Sequence, residues 1–242
     1  MEALAPYLIA GAAGLIIFAA MLTVRRSREK MEMKLQQAGF FRMPQLDPEL
    51  KKRVERLISQ RHRKVFMSRM YRYSGSNAEI YLADPNSSTV NDERIAVRSS
   101  NINLPRLLLF PKLPFGGKLV GALMKLGESA ISDGLPRVDM SAFPEFDKRY
   151  MLFGEDPAAV RDYFTDQLVD ALTRHEQVFR INGERDLFLF QAFRFSGDMQ
   201  NVGKLTRGEG TNWREVAAQA DEITSLLATT RQEAAASGGW AR

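Results

Sequence analysis

Apolar and polar positions change rhythm several times along this chain, and each change marks an element. Residues 7–24, from Tyr7 to Val24, form an unbroken uncharged run. As a helix rising about 1.5 Å per residue, it would be roughly 27 Å long, close to the hydrocarbon thickness of a bilayer. A helix is expected to continue over 27–39 and stop at Gly39. Asp47-Pro48 then supplies an N-cap acceptor and a proline at the first helical position. Leu50, Val54, Leu57 and Ile58 follow at helical spacing, which predicts an amphipathic helix over 48–60.

The period next falls to two. Strands are expected at 65–73, 79–82 and 94–97, separated by turn-rich segments such as Asp84-Pro85-Asn86-Ser87-Ser88. Another strand covers 149–153. Asp156-Pro157 repeats the cap-and-proline start, and Val160, Phe164, Leu168, Ala171 and Leu172 predict one helix running to about His175. Two apolar runs, 178–181 and 187–193, flank Asn182-Gly183, a strong hairpin signal. Asn212-x-x-Glu215 has the form of a capping box and opens a last helix over 213–233. This order predicts an α+β fold with a mainly antiparallel sheet, preceded by a single transmembrane helix. The expected domains are the tail and anchor (1–24), a basic juxtamembrane helical segment (25–60), a soluble α+β domain (61–200), and a Gly-rich linker with the C-terminal helix (201–242).

Three readings of 7–24 compete. A cleaved signal peptide requires basic residues in front and small residues at the cleavage site, but Met1 to Pro6 hold only Glu2 as a charge, and Thr23-Val24-Arg25-Arg26 cleaves poorly. A buried soluble helix rarely stays apolar for so long. The retained single-pass span is therefore the expectation. Arg25, Arg26, Arg28 and Lys30 follow directly, and basic flanks stay on the cytoplasmic side. The N-terminus is expected outside and the rest of the chain in the cytoplasm, with which the absence of cysteine agrees. Ala10, Gly11 and Gly14 make a small-x-x-x-small face through which two spans could pair as a homo-oligomer.

Composition sharpens this. The formal charge is +5, yet Arg25 to Arg72 hold fifteen basic and five acidic residues, so the remainder is net acidic. A nucleic-acid binder would spread its basic residues over the folded domain. Basic residues beside an apolar run instead suit anionic lipid, at about 1 kcal/mol each near the surface. The lipid bilayer and a protein partner are the expected partners, and no nucleic acid is. A bland alternative for Arg61, Arg63, Lys64, Arg69 and Arg72 is that they solvate a helix end and a strand face.

Catalytic and metal chemistry is thinly represented. There is no cysteine, and His62 and His175 fall in different elements, so no metal is expected. Leu113-Pro114-Phe115-Gly116-Gly117-Lys118 lacks the spacing and hydroxyl of a phosphate-cradling loop. No cofactor is expected and no catalytic residue stands out. The acids Asp139, Glu145, Asp147, Glu155 and Asp156 are the only candidates for a tethered enzyme. Residues 104–126 combine a long apolar stretch with Lys112, Lys118, Leu119, Leu123 and Lys125. They read either as a loop dipping into the membrane interface or as a connection crossing the core.

The phrase Phe143-Pro144-Glu145-Phe146-Asp147-Lys148-Arg149-Tyr150, continuing through Gly154-Glu155-Asp156-Pro157 to Phe164, resembles a family of bacterial membrane-anchored proteins of unknown function. There, an acidic-aromatic phrase leads into a strand, an Asp-begun helix and a Gly-turned hairpin. The resemblance is best over 143–190 and implies a domain held at a bacterial inner (cytoplasmic) membrane. It implies no catalytic residues. The function expected is a non-catalytic binding or scaffold module at the membrane, with the tethered enzyme as its rival.

Overall fold

The computed structural model describes residues 22–23, 25–26, 29–59, 65–76, 78–85, 94–112, 132, 134–193 and 212–236. The chain divides into two compact units, Met1–Gly39 and Phe40–Arg242. In the first, the described residues up to 37 are helical. Arg25 Nε donates to Glu29 Oε1 at 2.9 Å one turn on. The helix stops at Gly39, whose φ of 94° is a conformation glycine adopts without a Cβ clash.

The expectation of a transmembrane helix ahead of the domain is corrected. Among the described residues no helix is long and apolar enough to cross a membrane. The longest, Trp213–Ala236, carries Arg214, Glu215, Asp221 and Glu222 within its first ten residues. In the first unit, the described helical residues include Arg25, Arg26, Glu29 and Lys30. Apart from Leu22 and Thr23, the run 7–24 lies outside the described residues, and so do Ala10, Gly11 and Gly14.

The second unit is built on an eight-stranded antiparallel sheet. Its strands are β1 (Phe40–Arg42), β2 (Met67–Tyr73), β3 (Glu79–Pro85), β4 (Arg94–Arg98), β5 (Leu104–Pro111), β6 (Tyr150–Gly154), β7 (Val178–Arg185) and β8 (Leu187–Phe193). Their order across the sheet is β1-β2-β3-β4-β8-β7-β5-β6. The helices are α1 (Pro48–Ile58), α2 (Pro144–Arg149), α3 (Pro157–Tyr163), α4 (Asp166–Arg174) and α5 (Trp213–Ala236).

Alternation along each strand gives the sheet two unlike faces. One cross-strand row reads Tyr71, Leu82, Ile95, Phe190, Ile181, Leu109 and Leu152, apolar from end to end. This face lies under α2 to α5: Phe40 meets Trp213 of α5, Phe146 of α2 stacks on Tyr150, and a Cβ on Gly154 would collide with Val160 Cγ2 of α3. The neighbouring row, on the other face, reads Arg72, Tyr81, Ala96, Leu189, Asn182, Leu108 and Phe153. There α1 buries Leu50, Val54, Leu57 and Ile58 against Met70, Tyr81, Ala83, Ala96 and Leu189.

Asp47 caps α1 by accepting from Glu49 N, and Asp156 caps α3 by accepting from the amides of Ala158 and Ala159. Two local expectations change. The single helix drawn to His175 is broken: α3 ends at Tyr163, and Thr165 Oγ1 accepts from Leu168 N to start α4 afresh. The break turns Phe164 inward onto Phe146, at 5.9 Å between ring centroids.

Nor does Asn182-Gly183 turn the hairpin. Both residues lie inside β7, and the turn falls at Arg185-Asp186 between the paired Glu184 and Leu187. Gly183 is needed for close approach, since a Cβ there would sit 2.6 Å from Leu104 Cδ1 and 2.9 Å from Phe188 Cβ. The apolar stretch beginning at Leu104 is, through Pro111, an interior strand between β7 and β6.

Candidate functional site

The two faces differ in charge as well as in covering. α1 holds Lys51, Lys52, Arg53 and Arg56 against Glu49 and Glu55, a net +2. On the sheet face beneath it stand Arg72, Arg98, Arg106 and Arg180 against Glu79, Glu184 and Asp186, a further +1. The four helices on the opposite face carry nine acidic and six basic residues, a net −3, and the sheet face beneath them adds Arg42 and Arg69. The sheet thus sorts the chain's uneven charge onto opposite sides of one slab.

Beside α1 the charges form a network at the β7–β8 turn. Arg53 Nη2 donates to Asp186 Oδ1 at 2.6 Å, and Arg98 Nε donates to Asp186 Oδ2 at 3.1 Å. Arg98 reaches on to Glu79 at 3.7 Å, Arg72 meets Glu79 at 3.3 Å, and Arg56 meets Glu184 at 2.8 Å. Burial raises the Asp186 pKa, but hydrogen bonds from Arg53 and Arg98 outweigh it and hold the carboxyl below its ordinary range. Burial, reinforced by Glu79, pushes the neighbouring Tyr81 phenol up to about 12. The exposed arms of this network contribute little to stability. Their cations therefore remain available to an outside anion at small cost.

The polar centre of this face is Asn182. Its Nδ2 donates to the Leu57 carbonyl near the end of α1 at 2.5 Å, and its Oδ1 accepts from Arg106 Nη1. Next along β7, the Arg180 guanidinium lies over the Phe110 ring, 5.4 Å from its centroid. Sequence reasoning missed Asn182 because Asn-Gly also encodes a turn. The residue type gave no signal that would separate the two roles.

The two sheet edges differ as well. Beside β6, Val138 N donates to Leu152 O and Gly154 N donates to Pro136 O, so residues 136–138 close that edge. Among the described residues no strand pairs with the outer side of β1. Among the described residues of this unit the large exposed apolar side chains are Phe41 (53 %) in β1 and Phe66 (65 %) just before β2. Phe41 lies directly opposite Arg72, on the α1 face.

The residues singled out from sequence are dispersed. Arg25, Arg26 and Lys30 are exposed in the first unit, while Arg28, Lys118, Leu119 and Leu123 lie outside the described residues. Lys112 Nζ is 3.1 Å from Asp147 Oδ1 and also donates to the Asp147 carbonyl.

Four of the five acids considered for catalysis are engaged by the fold, and the fifth, Glu155, is exposed. Asp139 accepts from Ser141 N, which holds its pKa below the ordinary value. Glu145 pairs with Lys148, Asp147 with Lys112 and Arg137, and Asp156 caps α3. Arg149, from the same phrase, donates to the carbonyls of Thr173, His175 and Gln177, fastening the end of α4. Among the described residues no group of three or more His, Cys, Asp or Glu could hold a metal ion.

Compared with protein-family models, curated proteins and solved structures, the chain matches none. The resemblance carried by residues 143–164 therefore lends it no function.

Proposed function

We propose that this chain is a non-catalytic binding module that works at a membrane, turning the α1 face of its folded unit toward an anionic lipid surface. The observation that carries this reading is the sorting of charge across the sheet, positive on the α1 side and negative over α2 to α5. A slab polarised in this way is attracted by one face and repelled by the other, so a negative surface orients it. The sequence adds support, since basic residues outnumber acidic ones fifteen to five between Arg25 and Arg72. The rival enzyme reading is weaker, because Asp139, Glu145, Asp147 and Asp156 each hold a turn, an ion pair or a helix cap.

Hydrogen exchange of the full chain reconstituted in vesicles tests the reading. With anionic lipid present, exchange in β1, α1 and β2 should slow relative to zwitterionic vesicles, and the protection should fade with added salt. Exchange in α2 to α5 should not change. Identical exchange in both vesicle types, or protection centred on α2 to α5, would refute it.

A further inference from the structure

The exposed aromatics are a separate matter from the charge. Among the described residues around this edge, β1 buries Phe40 completely, and β2 buries Met67, Met70 and Tyr71. Against that background Phe41 and Phe66 stand out at 53 % and 65 % exposed. Both belong to the open β1–β2 edge. Phe41 lies opposite Arg72, and Phe66 precedes β2 six residues before Arg72, so the two rings are roughly 20 Å apart along the strand. Arg72 stands with Phe41 on the α1 face of this edge, while Arg42 and Arg69, opposite Tyr71 and Asp84, stand on its other face.

Aromatic rings favour the boundary between headgroups and acyl chains, and cations beside them meet the phosphates. A short edge strand with a charged residue, as in β1, is also guarded against pairing with a further strand.

We infer that the β1–β2 edge is a membrane-inserting edge, on which Phe41 and Phe66 enter the interfacial layer of an anionic bilayer while the arginines of the edge contact lipid phosphates. This rests on the membrane reading above and adds what that reading lacks, a salt-resistant apolar contact and its residues. The contact geometry follows from the fold. The β6 edge cannot serve, because 136–138 cover it. The α2–α5 side cannot serve either, because its net charge is negative. Charge alone would leave the unit to dissociate at high ionic strength, whereas two inserted rings retain part of the attachment.

The chain has no cysteine, so single cysteines can be labelled cleanly in the full protein. Phe41→Cys, Phe66→Cys and, as a control on the acidic side, Asp170→Cys would each carry an environment-sensitive fluorophore. The protein would be reconstituted in phosphatidylcholine vesicles with or without phosphatidylserine. Labels at 41 and 66 should shift to the blue with phosphatidylserine and be quenched by spin-labelled acyl chains, while the label at 170 should stay in water. Phe41→Ser with Phe66→Ser should lower the docked-to-undocked ratio roughly tenfold at high salt, with the circular dichroism of the folded chain unchanged.

If exchange protection by phosphatidylserine persists but labels 41 and 66 remain aqueous, the inference fails and the membrane reading stands. If no property depends on phosphatidylserine, both fail. If Phe41→Cys instead crosslinks efficiently to a second copy without lipid, the edge pairs protein with protein and the inference is overturned.

Discussion

Replacing Asn182 with alanine tests how α1 is fixed to the sheet. The side chain is buried, and it satisfies the Leu57 carbonyl through Nδ2 and Arg106 through Oδ1. Alanine leaves both without that partner. An orphaned buried polar group costs about 1–3 kcal/mol, and the half-buried Arg106 can recover some hydration. The expected loss is therefore about 2–3 kcal/mol. Against this, α1 buries Leu50, Val54, Leu57 and Ile58 to 3 % exposure or less. At about 1.5–3 kcal/mol each, these contribute roughly 6–12 kcal/mol as an upper estimate. Apolar burial outweighs the lost hydrogen bonds, so the variant should fold with α1 in place.

The assay is urea unfolding, where a slope of about 2–3 kcal/mol/M places the midpoint roughly 1 M lower. Hydrogen exchange should quicken at the end of α1, including the Ser59 amide that donates to Glu55 O. Gly183→Ala is the control. Its Cβ would crowd Leu104 and Phe188 and cost about 1–3 kcal/mol by overpacking, without accelerating exchange at Ser59. Asn182→Ala within 0.5 kcal/mol of wild type, taking about that value as no effect, would refute the anchoring role.

Three further outcomes follow from local chemistry. Arg185 is the one non-glycine residue described with positive φ, at 58°, and Arg185→Gly should raise stability by about 1 kcal/mol in thermal melts. A loss would mean that its side chain outweighs the backbone strain. Because the Asp186 pKa is depressed in the folded state, its contribution is present above the ordinary carboxylate pKa and lost as pH falls through the folded value. Asp186→Asn should therefore be less stable near neutrality and flatten the loss of stability below about pH 4; an unchanged acid limb would contradict this. Burial pushes the Tyr150 phenol up to about 12, against the opposing pull of Arg149 and of the Phe179 backbone. A pKa raised on folding means stability is full below about pH 10 and falls between there and 12. Tyr150→Phe should weaken that alkaline loss in stability measured between about pH 9 and 12, and an unchanged alkaline limb would overturn the assignment.

Much of the local structure was legible from the residues. Asp47-Pro48, Asp156-Pro157 and Asn212-x-x-Glu215 each start a helix where expected, because a cap is decided within about four residues. The alternation at 65–73 and 94–97 likewise marks β2 and β4. The acidic-aromatic phrase at 143–150 became intelligible only in three dimensions, where Arg149 caps α4 and Phe146 joins Tyr150 and Phe164. His175 sits at the C-cap of α4, with its ring edge-on to Phe179 at 4.6 Å. The long helix was expected to be continuous because its apolar spacing is; Thr165 breaks it as a cap, a role that spacing does not reveal.

The sequence by itself determined the antiparallel α+β character, most element starts and the imbalance of charge between its early and later parts. Those properties depend on near neighbours or on composition. The tertiary structure decided where that charge goes, that β4 pairs with β8 across some ninety residues, and that Asn182-Gly183 lies within a strand. Such outcomes depend on what faces a residue from a distant segment: Gly183 is glycine because Leu104 and Phe188 press on it. The same register that gives one face its apolar row from Tyr71 to Leu152 turns Arg72, Arg98 and Arg180 to the other. A period of two says only that faces alternate, and the partner strand settles which face is buried.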